Sequence, residues 1–147
     1  MTVYTIGFTQ KHAEDFYEKI KAAKIDLLID VRLNNTSQLA SFSKFPDIVY
    51  FLDKLCNVRY CHDVKLSPTE VLLKSYKKGE TTWSDYEVIF RKTMEDRNIT
   101  EHIQKQYAKY KDANICLLCS EPTAEKCHRR LVAEYFNEVF NSQTIHI

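Results

Sequence analysis

Short apolar runs alternate along this chain with longer segments in which apolar residues recur every three or four positions. The short runs are typical of strands, and the longer periodic segments are typical of amphipathic helices. The runs predict five strands, at about 3–6, 25–31, 58–61, 115–119 and 144–147. The periodic segments predict helices at about 9–23, 46–55, 67–79, 82–94, 100–110 and 123–140.

Strands that alternate with helices predict an α/β fold. The run at 25–31 is almost continuously apolar, as expected for a strand that is covered on both faces. We therefore predict a three-layer sandwich with a mainly parallel sheet of about five strands. A helical insert precedes strand four. A length of 147 residues without a linker or repeat predicts a single domain, 1–147.

Polar residues at the predicted helix starts suggest where two of these helices begin. Thr9 is a candidate N-cap for the first helix. Ser67, Pro68 and Glu70 have the arrangement of a capping box, with proline at the first helical position. We therefore expect these two helices to begin directly after Thr9 and Ser67.

Polar or reactive side chains and one glycine follow the predicted strands at their carboxyl ends. These residues are Gly7, Thr9, Arg32, His62, Cys119 and Glu121. Ligands bind beyond the carboxyl ends of the strands in open parallel sheets. We therefore expect a polar pocket at that edge, with Ser37 contributed by the loop after the second strand. Trp83, Tyr86 and Tyr60 are candidates to line it.

The segment from 115 to 130 concentrates the chemistry, because Cys127, His128 and Arg129 follow Cys119 and Glu121 closely. Cys119 is a candidate nucleophile, and Glu121 or His128 a candidate for proton transfer. Arg129 and Arg32 are candidates to bind an anion, with Gly7, Thr9, Ser37, His62 and Cys127 completing the ligand site. The alternative is that the cysteines and the histidine only pack, and that Arg32 only pairs with Asp30 or Glu121.

Zinc coordination by Cys119, Cys127, His128 and His62 is less well supported. The spacing lacks Cys-x-x-Cys, and adjacent residues on a helix diverge by about 100°. We therefore predict no metal site. A cysteine phosphatase loop is also disfavoured, because its arginine would fall at position 125, which is glutamate.

Composition limits the possible functions. A formal net charge of +1 excludes a strongly basic nucleic-acid binder, and two glycines exclude a G-x-G-x-x-G fingerprint and a Walker A loop. Five cysteines, an odd number, are typical of reduced thiols in a cytoplasm. No apolar run approaches the ~20 residues that span a bilayer, and the N-terminus lacks a signal-peptide pattern. We expect a cytoplasmic protein with no membrane partner, and neither a cofactor nor an oligomeric state is predicted.

Several blocks of the sequence resemble those of the domain of unknown function 488 family. The blocks are Tyr4 to Thr9, Leu28 to Arg32 with Ser37 and Phe42-Ser43, Tyr60 to His62, and Leu117 to Glu121 through Cys127-His128-Arg129. The resemblance implies a small cytoplasmic α/β protein of bacteria or archaea and assigns no activity. It covers most of the chain. Asn35 stands where the family usually has proline.

Two functional hypotheses follow. The first is an enzyme that acts on an anionic ligand, a nucleotide or a nucleic-acid component. The second is a non-catalytic module that binds nucleic acid or a partner through the same pocket, with Lys74, Lys77 and Lys78 contributing. In a third interpretation the Cys, Glu, His and Arg cluster is a structural network that fixes the turn.

Overall fold

The computed structural model describes residues 1–147 and contains one sheet of five strands. The strands are β1 (Thr2–Gly7), β2 (Leu27–Asp30), β3 (Arg59–His62), β4 (Asn114–Cys119) and β5 (Gln143–His146). They lie in the order β3-β2-β4-β1-β5, and every neighbouring pair is parallel. The predicted α/β class is therefore confirmed, with a sheet that is entirely parallel.

Six α-helices cover the two faces of this sheet. They are α1 (Ala13–Ala22), α2 (Asp47–Phe51), α3 (Glu70–Lys77), α4 (Trp83–Asp96), α5 (Ile99–Tyr107) and α6 (His128–Phe140). Helices α1 and α2 bury Phe16, Ile20 and Ile48 against one face, and α4 to α6 pack on the other. Helices α3 to α5 form the predicted insert before β4. None of the helices combines the length and the apolar character that a bilayer crossing requires.

Alternation along β4 assigns its two thiols, Cys116 and Cys119, to different layers. Ile115, Leu117 and Cys119 pack with the α4–α6 layer, whereas Cys116 and Leu118 pack with α1 and α2. Successive side chains of a strand point to opposite faces, so the parity of the sequence positions decides this division. Cys119 is consequently the β4 thiol that faces α4 and α6.

Both predicted helix starts are wrong, because each capping side chain bonds elsewhere. The Thr9 hydroxyl donates to the Ser120 carbonyl at 2.7 Å, and α1 begins four residues later, after His12. The Ser67 hydroxyl donates to the Val64 carbonyl at 2.6 Å. Thr69 caps α3 instead and accepts from the backbone N–H of Leu72.

The predicted helix at 123–140 also begins later than expected. Residues 120–126 form turns and bends, and Cys127 has extended backbone angles (φ −139°, ψ 137°) directly before His128. Cys127 is therefore the residue that precedes α6 rather than a residue within its first turn.

Candidate functional site

Cys119 ends β4 beside the end of β1. The register pairs Gly7 with Cys119, and the N–H of Thr9 donates to the Ser120 carbonyl at 3.2 Å. The N–H of Val31, after β2, donates to the Leu118 carbonyl at 3.0 Å. Three strands thus bring their carboxyl ends to one place, as the sequence predicts.

Gly7 is required by the close approach of the turn after β4. A Cβ atom at Gly7 would lie 1.7 Å from the carbonyl oxygen of Glu121, which is far inside van der Waals contact. The same oxygen accepts a hydrogen bond from Arg129 Nη1 at 2.5 Å. Gly7 and Arg129 therefore fix the backbone path of the turn.

Arg129 is buried without an acidic partner. Its side chain is 1% exposed and makes no ion pair with a carboxylate. Its Nε donates to Thr5 Oγ1 at 3.3 Å, and its Nη1 lies 3.6 Å from the sulfur of Cys127. A buried guanidinium favours a compensating negative charge nearby, and the nearest candidates are thiols.

Hydrogen-bond donors surround the sulfur of Cys119. A hydrogen bond from the Cys127 thiol lowers the pKa of Cys119, and the N–H groups of Ser120 and Glu121 and the charge of Arg129 act in the same direction. Burial opposes them but does not prevail. Burial raises the pKa of Cys127 well above its usual value, with a further contribution from Cys119. Of the two thiols, Cys119 is therefore the one that ionises first.

His128 is held in one tautomer by the backbone. Its Nε2 lies 2.8 Å from the Val31 carbonyl oxygen, which can only accept, so Nε2 carries a hydrogen and the neutral ring has its acceptor at Nδ1. The Cys119 sulfur is 3.6 Å from Nδ1 and 3.8 Å from Nε2. These nearly equal distances place the sulfur beside the ring rather than in line with the Nδ1 lone pair. A rotation of the ring is needed before His128 can accept the thiol proton.

Three potential metal ligands converge at this point. The sulfur atoms of Cys119 and Cys127 and a ring nitrogen of His128 lie within 4.8 Å of one another, and all three residues are buried. The predicted divergence of Cys127 from His128 is wrong, because Cys127 is extended rather than helical. Two thiolates and an imidazole are ligands that suit Zn²⁺.

A small cavity of about 120 Å³ opens above these residues. Cys119, Cys127 and His128 line it together with Tyr76, Trp83 and Tyr86 from the insert. The rings of Trp83, Tyr86 and Phe90 follow one another along α4, and the Phe90 ring lies 5.6 Å from that of His128. Trp83 and Tyr86 were predicted to line the pocket, whereas Tyr76 and Lys126 were not.

Arg32 is part of a saturated internal network. Its guanidinium pairs bidentately with Asp30, with Nε and Nη2 at 2.8 and 2.7 Å from the two carboxylate oxygens. It also donates to the hydroxyl and the carbonyl of Ser43. Asn35 and Tyr60 complete the network around Asp30. Arg32 borders the cavity, but these internal contacts use most of its donors.

The other predicted site residues are distributed as follows. Glu121 borders the cavity with an exposed side chain, and its backbone makes the contacts described above. Ser37 is exposed and accepts from the N–H of Leu39, outside the cavity. His62 lies 2.7 Å from the Arg32 carbonyl through Nε2 and borders a separate, open groove. Ser37 and His62 are therefore not brought to Cys119.

A second polar cluster follows β3 and was not predicted. Asp63 Oδ2 lies 2.7 Å from His102 Nε2 and accepts from the Tyr107 hydroxyl at 2.7 Å. The position of Asp63, directly after a strand, was the available sequence signal. His102 and Tyr107 lie on α5, so this cluster ties the insert to the sheet edge.

A larger and more open groove of about 1190 Å³ lies at the amino-terminal side of the strands, near Asp26, Asn57 and Ala113. Its lining contains neither cysteine nor histidine. Size therefore does not identify the reactive site, and the cavity above Cys119 is the better candidate.

Comparison with known proteins assigns the family. No curated protein and no solved structure matches the chain. The family described as "Domain of unknown function DUF488" matches residues 12–136, which include the insert and the Cys119-to-Arg129 segment. The chain belongs to the DUF488 family.

Proposed function

We propose that this protein is a cytoplasmic enzyme in which the Cys119 thiolate is the nucleophile and the substrate is a compact anionic molecule. The observation that carries the proposal is the buried Arg129, which has no carboxylate partner and lies beside a thiol pair at the floor of a cavity. Five free thiols support the cytoplasmic location.

The charge balance supports a thiolate at Cys119. An uncompensated buried charge costs several kcal/mol, by an order-of-magnitude estimate. Ionisation of Cys119 supplies a negative charge next to Arg129 without moving any element. The backbone N–H groups of Ser120 and Glu121 then stabilise that charge, in the manner of other activated cysteines.

The cavity limits the substrate. A volume of about 120 Å³ lies well below the roughly 300–1,000 Å³ of typical small-molecule pockets. A whole nucleotide is not enclosed, so the buried part of the substrate is a small reacting group. Lys77 and Lys126 border the opening and favour an anion there. Arg32 contributes little to anion binding in this proposal, because Asp30 and Ser43 occupy its donors.

The proposal is tested by the pH dependence of thiol alkylation. Each cysteine is followed by peptide mass spectrometry after brief treatment with iodoacetamide between pH 5 and pH 10. Cys119 should react with a midpoint below the ~8.5 of an unperturbed thiol, and Cys56, which lies away from the cavity, should not. Cys119→Ser should remove the low-pH reaction, whereas Cys56→Ser should leave it unchanged.

Two outcomes would contradict the proposal. One is a Cys119 midpoint at or above the ~8.5 of an unperturbed thiol. The other is stoichiometric zinc in the purified protein that is lost in Cys119→Ser, which would identify a metal centre in place of a free nucleophile.

A further inference from the structure

We propose that Cys119 and Cys127 are a redox-active thiol pair that reduces hydroperoxides, with Cys119 as the attacking thiol and Cys127 as the resolving thiol. This inference rests on the proposed function, because it requires a nucleophilic Cys119. It names a second reacting residue and replaces the anionic substrate of that proposal with a neutral hydroperoxide, of which only the leaving group is an anion.

The two sulfur atoms belong to one cluster whose ligand atoms lie within 4.8 Å of one another. A disulfide needs a separation of about 2.05 Å, so the sulfur atoms must still approach one another. The connecting residues 120–126 lie in neither a helix nor a strand, and Cys127 precedes α6 rather than lying within it. Gly7 and Arg129 hold this turn at Glu121, so the approach must come from residues 122–126 and the Cys127 side chain while β4 and α6 keep their places.

The surroundings of the two thiols assign them different roles. Cys119 lies at the floor of the cavity and receives the donors that favour a thiolate. Cys127 is 2% exposed and keeps its proton, which it shares with Cys119. Oxidation of Cys119 removes its negative charge, which is the lesser of the two causes that keep the proton on Cys127, whereas burial remains. Arg129 Nη1, 3.6 Å from the Cys127 sulfur, then stabilises the second thiolate.

The narrow access favours a hydroperoxide over a bulky disulfide. The side chain of Cys119 is 5% exposed, and the cavity above it holds about 120 Å³. Attack on a disulfide of another protein would require two further sulfur atoms in this space, with their chains. The O–O group of a hydroperoxide is compact, and Lys77 and Lys126 at the cavity favour the anion that leaves when it is cleaved.

The reaction balances with a hydroperoxide as the oxidant. The Cys119 thiolate attacks the terminal oxygen, an S–O bond forms, and the O–O bond breaks to release an alkoxide that takes a proton from water. Cys119 is then a sulfenic acid, oxidised by two electrons, and an organic hydroperoxide has become an alcohol, or hydrogen peroxide has become water. The Cys127 thiolate attacks the Cys119 sulfur, the S–O bond breaks, and the hydroxide leaves as water with the proton of Cys127. An external dithiol reduces the resulting disulfide.

The test uses hydrogen peroxide or tert-butyl hydroperoxide with the purified full chain. One equivalent of oxidant should convert the wild type to a form with a single Cys119–Cys127 disulfide, detected in the non-reduced peptide map. Cys127→Ser should stop at the sulfenic acid, so dimedone should label Cys119 in this variant at least tenfold more than in the wild type. Cys56→Ser is the matched control and should form the disulfide at the wild-type rate.

The outcomes separate this inference from the function on which it rests. Rapid low-pH alkylation of Cys119 without any Cys119–Cys127 disulfide after peroxide would overturn the redox pair and leave the nucleophile intact. A Cys119 that is not acidic would overturn both. The peptide map of the wild type alone decides the pairing, so the inference does not depend on the folding of Cys127→Ser.

Discussion

At the scale of single residues, the two buried arginines of the site have different partners. Arg32 is neutralised by Asp30, with Ser43 satisfying further donors. Arg129 instead donates to neutral oxygens, of Thr5 and Glu121, and borders the thiol pair. Arg32 therefore maintains the sheet edge, whereas the charge of Arg129 is available to favour anionic sulfur.

Arg129→Lys should reduce the reactivity of Cys119. Lysine cannot reproduce the forked contacts to Thr5 and Glu121, so its charge should lie farther from the thiols. We expect the alkylation midpoint of Cys119 to move to higher pH and its rate at pH 7 to fall roughly three- to tenfold. The measurement is the mass-spectrometric pH profile. Arg130→Lys, on the same helix with its guanidinium paired to Glu134 and Glu87, is the control and should leave the profile unchanged.

At the scale of elements, the site depends on the contact between the end of β1 and the turn after β4. These segments are more than 100 residues apart in sequence, and the hydrogen bond from Thr9 to Ser120 joins them in the fold. The existence of the strands was predictable, because each apolar run is short and bounded by polar residues, whereas their order in the sheet was not predicted. The start of α1 was not, because nothing near Thr9 in sequence shows that its hydroxyl bonds to Ser120.

The candidate site, like the helix starts, could be predicted from the sequence only in part. The carboxyl ends of the strands identified Cys119, His128 and Arg129 as neighbours, because parallel strands share one edge. The exclusion of Ser37 and His62 was not predictable, since it depends on the path of the loops. The convergence of Cys127 with His128 was missed because the predicted helix began too early. Local backbone conformation at a single residue decided whether the two side chains meet.

Gly7→Ala should displace the turn that holds the site. The added methyl group would overlap the Glu121 carbonyl, a backbone atom that cannot rotate away. We expect a loss of about 3 kcal/mol in the free energy of unfolding, at the upper end of overpacking effects, and slower alkylation of Cys119. Gly79→Ala is the comparison, because Gly79 has open space around it and only its φ of +73° is unfavourable. It should cost about 1 kcal/mol in urea denaturation and leave Cys119 unaffected. Equal effects on Cys119 would contradict this account.

The attachment of β5 should depend on pH through His146. Burial lowers the pKa of His146 from its usual 6.5, and Arg129 and Arg130 lower it further. Thr5 Oγ1 accepts from Arg129 and lies 2.7 Å from His146 Nδ1, to which its hydroxyl donates when the ring is neutral.

The sign follows from proton binding. A lowered pKa means that the folded chain binds fewer protons than the unfolded chain, so this contribution to stability is complete above pH 6.5 and decreases as the pH falls below it. Hydrogen exchange should therefore be faster in residues 143–146 at pH 5.5 than at pH 7.5, after correction for intrinsic rates. His146→Gln should lose this pH dependence. Protection that is independent of pH in the wild type would disprove the role of His146.

At the scale of the whole molecule, the fold separates reactive chemistry from surface charge. The thiols and the histidine lie at the carboxyl edge of the sheet under α4 and α6, whereas the larger groove at the opposite edge has no comparable side chains. Three basic residues of the insert pair within their own helices, in Lys74–Glu70, Arg91–Glu87 and Lys92–Asp96. With a net charge of +1, the molecule has little long-range attraction for a polyanion.

The chain should therefore bind oligonucleotides weakly, which distinguishes an enzyme from a nucleic-acid-binding module. Non-specific binders reach dissociation constants of about 10⁻⁴ to 10⁻⁶ M at physiological salt through several phosphate contacts, and their affinity falls steeply as salt increases. We expect fluorescence anisotropy of a labelled 20-nucleotide single strand to show no saturation below about 100 μM protein at 50 mM salt. A variant with Lys74→Glu, Lys77→Glu and Lys78→Glu should behave like the wild type in this assay.

Micromolar binding that weakens with salt and is lost in the triple variant would instead support the binding module. In that case Cys119→Ser, which retains the surface charge, would bind the oligonucleotide as tightly as the wild type. This unchanged affinity would show that binding depends on the surface lysines and not on the Cys119 thiol.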